Sequence, residues 1–301
     1  MHINFNALAY LAGLYRTDNS LSPLKSAGKG DPVQGEAFLK ESGMLTESGI
    51  RNEAKEILEV LAEPQRSGRI AIREGNALIE KIGYRRNEGF SLVERTAEGV
   101  EVTAPATLQP TLLALSQVTG MSRVIAWDLE VELPSAEALV YLGLVDLYRK
   151  TAMLGLWQVG APDVNVSALE THLNDPVPGS LVAMVKGKQD SSALTIGRAE
   201  LSSMLNRLEM VQILEGDQVR LTGDHAKFAM EFLVPRAVTT LEVYNRSEDK
   251  IAGNESLVIS AGLNEHLLIK LGAYQWALSL ISGSYLLKLI ENVLNAPELE
   301  I

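Results

Sequence analysis

Two short segments place apolar residues at helical spacing and then stop at a proline. Residues 53–66 read EAKEILEVLAEPQR and residues 224–237 read DHAKFAMEFLVPRA. Ile57, Leu58 and Leu61 form the stripe of the first, and Phe228, Met230 and Phe232 that of the second. Pro64 and Pro235 end the helices, because proline lacks the amide hydrogen and disfavours helical geometry in the residue before it. A basic residue, Arg66 or Arg236, follows each proline, and then a stretch with strand character: 70–73 in one case, 238–244 in the other. A unit met twice in one chain suggests an internal duplication.

Two further echoes occur in the same order. ALAYLAGLYR at 7–16 matches ALVYLGLVDLYR at 138–149, and TLLALSQVTG at 111–120 aligns with YQWALSLISG at 274–283. The offset grows from 131 to 171 residues between the first two echoes, which places an insertion in the second copy near 155–195, where Pro176, Pro178 and Gly179 cluster. Similar amphipathic patterning without common descent remains the alternative.

The periodicity predicts helices over 7–16, 33–41, 50–63, 107–119, 136–154, 163–174, 197–208, from 222 or 223 to 234, and 273–295. Alternation and tight-turn signals predict strands over 69–73, 77–84, 90–95, 100–103, 124–130, 180–186, 238–244, 256–261 and 267–270, with a hairpin of 211–214 and 218–221. Residues 43–46 read as a turn. The strands follow one another as a meander without helical crossovers. The class is therefore α+β: a pseudo-twofold duplication with a central antiparallel sheet flanked by helices. The halves divide as 1–133 and 134–301.

Composition narrows the function. The 301 residues are 46% hydrophobic but only 5% aromatic, so the core is aliphatic. A net charge of -11 repels phosphate backbones, and nucleic acid is not expected as a partner. The chain has no cysteine, which excludes disulfides, thiolate metal sites and a cysteine nucleophile. No signal peptide and no membrane span are read, and the expected location is the cytoplasm.

Reactive constellations are not found. His2, His172, His225 and His266 form no HExxH pair and read as solvent-facing; His172 or His225 would be the nearest candidate for a base. Glu53, Glu56 and Glu59 share a helix face that reads as solvated. Gly28-Lys29-Gly30 lacks Walker spacing, and there is neither GxGxxG after a strand nor GxSxG. No catalytic residue, metal or cofactor is assigned. The stretch 195–222 has the order of the last helix and wing of a winged-helix module, with Arg198, Arg207 and Arg220 among Glu200, Glu209, Glu215 and Asp217. That charge mixture favours protein contact over DNA.

Leu45, the helix closing on Leu61-Ala62-Glu63-Pro64, the strands after it, and the late helix following Gly-Phe-Ser-Leu-Val-Glu at 89–94 together resemble the EspG family, cytosolic chaperones of type VII secretion. The resemblance implies a quasi-twofold architecture of sheet and helical bundles. It also implies a non-catalytic role: a chaperone or adaptor that binds an amphipathic helical secretion substrate and keeps it soluble, as monomer or homodimer. Partner-binding residues are expected at Arg198, Arg207, Gln212, Leu214, Gln218 and Arg220. The competing readings are a winged-helix regulator and an enzyme of unrecognised type.

Overall fold

A computed structural model of the chain describes residues 1–25, 30–104, 107–125, 128–156, 164–188, 196–210, 213, 219–247 and 250–299. The fold is α+β, with a large antiparallel sheet flanked by helices. Ten strands hydrogen-bond in the order β1-β7-β6-β5-β4-β9-β10-β11-β12-β8, and a two-stranded hairpin, β2 (Leu45–Thr46) with β3 (Gly49–Ile50), stands apart. The chain folds into two compact units, and each draws residues from both halves of the sequence.

The first unit comprises Met1–Thr119, Thr239–Glu255 and Ser284–Ile301. Its strands are β1 (His2–Asn4), β4 (Arg66–Glu74), β5 (Ala77–Arg86), β6 (Gly89–Arg95), β7 (Gly99–Thr103), most of β9 (Ala237–Ser247) and the start of β10 (Lys250–Ser260). Its helices are α1 (Phe5–Tyr15), α2 (Pro32–Glu41), α3 (Asn52–Ala62), α4 (Gln109–Thr119) and α10 (Gly283–Leu294), the last starting one residue earlier, at Gly283. The Asn4 side chain caps α1 by accepting from the Ala7 amide at 2.8 Å, and Asp31 caps α2 ahead of Pro32. Leu58 and Leu61 of α3 join Leu8, Leu11 and Leu39 in a core that closes on Tyr84 and Val93 of the sheet.

The second unit comprises Gly120–Val238 and Ser256–Gly283. Its strands are the end of β10, then β11 (His266–Leu271), β12 (Gln275–Ile281) and β8 (Glu130–Pro134). Its helices are α5 (Ser135–Leu156), α6 (Val166–Asn174), α7 (Leu181–Lys186), α8 (Arg198–Met210) and α9 (Gly223–Glu231). Helix α5 is the axis: a continuous run from Glu137 to Leu147 is buried, with apolar side chains on every face. Among the described residues, β8 is paired on one edge alone, with β12. The Leu280 amide donates to the Leu129 carbonyl, so alternate residues 129, 131 and 133 turn their backbone groups to β12. The outward groups belong to Glu130, Glu132 and Pro134, two charges and an imino acid, which blunt edge-to-edge pairing.

Read along the chain, β1-α1 and β8-α5 each open a stretch that continues through helices, a four-strand meander and a closing helix. The strand orders β1-β7-β6-β5-β4 and β8-β12-β11-β10-β9 correspond position by position. The helix–proline–strand echo holds in this register, since β4 begins at Arg66 and β9 at Ala237.

Four sequence expectations are corrected. Residues 273–295 are not one helix: 275–281 form β12, whose Trp276, Leu278 and Leu280 are buried at every second position. That period of two is a strand's, and it removes the third echo, because 111–119 are helical in α4. Residues 181–186 are helix α7, capped by Ser180, rather than a strand; so short an apolar run carries no period to separate the two. The strand expected at 124–130 begins only at Glu130. The turn at 43–46 opens the β2–β3 hairpin instead.

Candidate functional site

Helix α8 carries the first of the expected partner-binding residues. Arg198 and Arg207 are both exposed, but they lie nine positions apart, about two and a half turns, and so point to opposite sides of the helix. Arg207 is bound: its Nε pairs with the Glu137 carboxylate of α5, and its Nη1 donates to Ser203 Oγ at 2.8 Å. Arg220 is exposed. Gln212, Leu214 and Gln218 lie outside the described residues, as does most of the expected 211–221 hairpin. Its base is described: the Thr222 amide donates to the Ile213 carbonyl at 3.0 Å, and Ile213 and Leu221 are buried in the core around α5. Arg198 and Arg207 therefore form no common basic face.

Three of the four histidines are not solvent-facing, whereas His2 is partly exposed. His172 and His266 are buried, and His225 is half-buried. His172 Nε2 donates to Asp146 Oδ2 at 3.1 Å, while Asp146 Oδ1 accepts from Arg149 Nη1 at 2.6 Å. The same carboxylate takes the amides of Leu181 and Val182, each at 3.0 Å. All four donors point at one buried anion at the start of α7, so this carboxylate–histidine pair ties α5, α6 and α7 together. Burial pulls the Arg149 guanidinium down, and Asp146 opposes that shift. His266 Nε2 donates to the Leu263 carbonyl, and its Nδ1 accepts from Ser260 Oγ at 2.8 Å, which pins the turn between β10 and β11.

A concave site lies on the sheet face of the first unit. It has a volume of about 310 Å³, with Leu21, Ile82, Ile251, Tyr84 and Tyr244 as walls and Arg69 in its floor. Alternation sets which side chains face it. Ser67 pairs with Tyr84 and Arg69 with Ile82 across β4 and β5, so all four point to one side. Arg69 Nε donates to Glu80 at 2.7 Å, and Nη1 donates to both Glu242 oxygens at 2.9 and 2.8 Å. Burial would lower the Arg69 pKa, but the hydrogen bonds to Glu242 and Glu80 outweigh it and raise the value. Burial, with a smaller push from Glu80, keeps the Tyr84 phenol neutral far above its usual range. The guanidinium thus lies among aromatic and aliphatic side chains with both of its carboxylate partners in place. Among the described residues, no three His, Cys, Asp or Glu side chains are grouped to hold a metal ion. No helix among them is long and apolar enough to cross a membrane.

Sequence reasoning missed this site. Arg69 and Glu242 are 173 positions apart. The available signal was a charge within each apolar strand: Arg69 in GRIAI, Glu80 in LIEKI and Glu242 in TTLEVY.

The fold is similar to that of EspG5, a type VII secretion system chaperone of Mycobacterium tuberculosis, solved in complex with a PE25–PPE41 dimer. The match has a TM-score of 0.53 and 12% sequence identity, and covers 99% of this chain and 97% of that one. At that identity the likeness speaks for the fold. No protein-family model matches the chain, and no curated protein matches it.

Proposed function

We propose that this protein is a non-catalytic chaperone or adaptor that holds a protein partner, in the manner of an EspG-type secretion chaperone. The observation that carries this reading is the end-to-end fold likeness to EspG5, which leaves almost nothing of either chain over. The finer reading is that the partner presents an amphipathic helix, that the protein acts in the cytoplasm as monomer or homodimer, and that its two topologically matching stretches descend from a duplicated ancestor. Two features favour contact over chemistry: the Arg69 hollow with its paired charges, and the exposed Arg198 at the start of α8.

The test mixes the purified chain with purified PE–PPE-type helical dimers from the same genome and follows the mixture by size-exclusion chromatography with light scattering. A complex of defined stoichiometry, with more dimer kept in solution, supports the reading. Separate migration of the chain and every such dimer sinks it. Salt-resistant binding of a specific DNA duplex in the same assay would instead favour the winged-helix regulator.

A further inference from the structure

The hydroxyl of Tyr141 lies 3.0 Å from Nδ1 of His225, and the two rings meet edge to face with centroids 5.4 Å apart. Tyr141 is wholly buried on α5; its ring stacks on Phe228, which packs in turn on Phe232. His225 stands in the first turn of α9. Burial pushes the Tyr141 phenol far above its usual range, so the hydroxyl keeps its proton. In the apolar core Nδ1 is the acceptor the structure offers that proton, so the hydroxyl donates and Nδ1 accepts, with the neutral ring carrying its proton on Nε2. The bond in this direction requires a neutral imidazole.

Three circumstances oppose a proton on His225. Burial holds its pKa below the usual histidine value. The positive end of the α9 dipole faces it. Protonated Nδ1 would make the Tyr141 hydroxyl an acceptor and turn the phenolic proton into an apolar core. Asp224 pulls the other way, but it is exposed and hydrogen-bonded to Lys227. One turn before Tyr141 on α5, Glu137 is taken up by Arg207; two turns after it, Tyr148 stands beside Lys227 and Glu231 of α9.

We propose that the Tyr141–His225 hydrogen bond is an acid-sensitive latch that seats the first turns of α9 on α5 and releases them as pH falls below neutrality. The surface that changes with it is the adjoining hollow of about 320 Å³ lined by Tyr148, Gly223, Ala226, Lys227, Met230 and Glu231. A freed His225 takes up its proton near the ordinary histidine value of about 6.5, whereas the seated one does so only at lower pH. The seated form therefore loses ground as pH falls through that window, by at most about tenfold per pH unit for one proton. The latch does not depend on which partner the protein holds.

Hydrogen exchange of the full chain, read by mass spectrometry between about pH 7.5 and 5 and corrected for intrinsic rates, tests it. Protection of residues 223–231 should fall by up to about tenfold per unit below pH 6.5, while β5 keeps its protection. His225→Asn should lose the pH dependence, because its Oδ1 stands where Nδ1 does and accepts from Tyr141 without titrating, and Tyr141→Phe should flatten it. A flat wild-type profile overturns the proposal, as does a wild-type dependence in either variant. If a variant does not fold, NMR titration of the His225 ring in the wild type decides: a pKa at or above 6.5 overturns the latch.

Discussion

Gly68 and Gly83 face each other across β4 and β5, and both present bare backbone to α10. A Cβ at Gly68 would overlap the Val293 carbonyl, and one at Gly83 the Leu294 carbonyl. Arg85, two residues along the same face, donates from Nε to the Asn295 carbonyl at 3.1 Å. The pair lets a helix lie against the sheet at backbone distance. Gly68→Ala or Gly83→Ala should each cost about 2–3 kcal/mol in denaturant unfolding, because the overlapping atom is backbone and cannot rotate away. Gly75→Ala is a weaker control: nothing lies near its Cβ, and only its positive φ of 56° opposes the change.

Arg69 is the shared cation of two buried carboxylates. Arg69→Met keeps most of the volume but strands Glu80 and Glu242 without it. The loss should be roughly 3 kcal/mol, the lower end for a broken buried pair, because the Arg69 side chain is 31% exposed. Chemical denaturation measures it; a loss below about 1 kcal/mol would mean that water and Arg95, 3.7 Å from Glu80, compensate.

Asp146 gathers four donors, and Asp146→Ala removes the acceptor of an imidazole nitrogen, two amides and Arg149 Nη1, while Arg149 Nη2 still donates to the Leu233 carbonyl at 2.9 Å. A cost of about 3–5 kcal/mol is expected, together with faster amide exchange in α6 and α7 than in β4–β7. Uniform loosening across both units would contradict a local role.

Glu137 and Arg207 join α5 to α8, the first nearly buried and the second half-exposed. A double-mutant cycle with both alanine replacements should give a coupling of about 1 kcal/mol. If Arg207 also contacts the partner, Arg207→Ala weakens complex formation more than Glu137→Ala; equal effects would assign it to the fold alone.

Much of the architecture was legible along the chain. Pro64 follows the end of α3 by two residues, whereas α9 ends at Glu231, four residues before Pro235 and short of the expected 234; β4 and β9 follow the two prolines. The meander of β4 to β7 was read from alternation almost to its boundaries. Errors fell where period is too short to measure, in the LVAMVK run of α7, or where a strand joins a helix without a break, as β12 joins α10 across Ser282. Met230, which spacing places in the apolar stripe of the second segment, is 42% exposed, because a stripe inferred from spacing is wider than the one that packing covers.

Amino-acid order by itself determined the α+β class and the acidic, cysteine-free character, since each depends on spacing, period or a count. The tertiary structure alone decided which polar side chains meet: Arg69 with Glu242, Asp146 with His172, Tyr141 with His225. Those pairs are 173, 26 and 84 residues apart, and no periodicity reaches across such intervals. Strand register and helix packing set them, and both are properties of the assembled sheet and core.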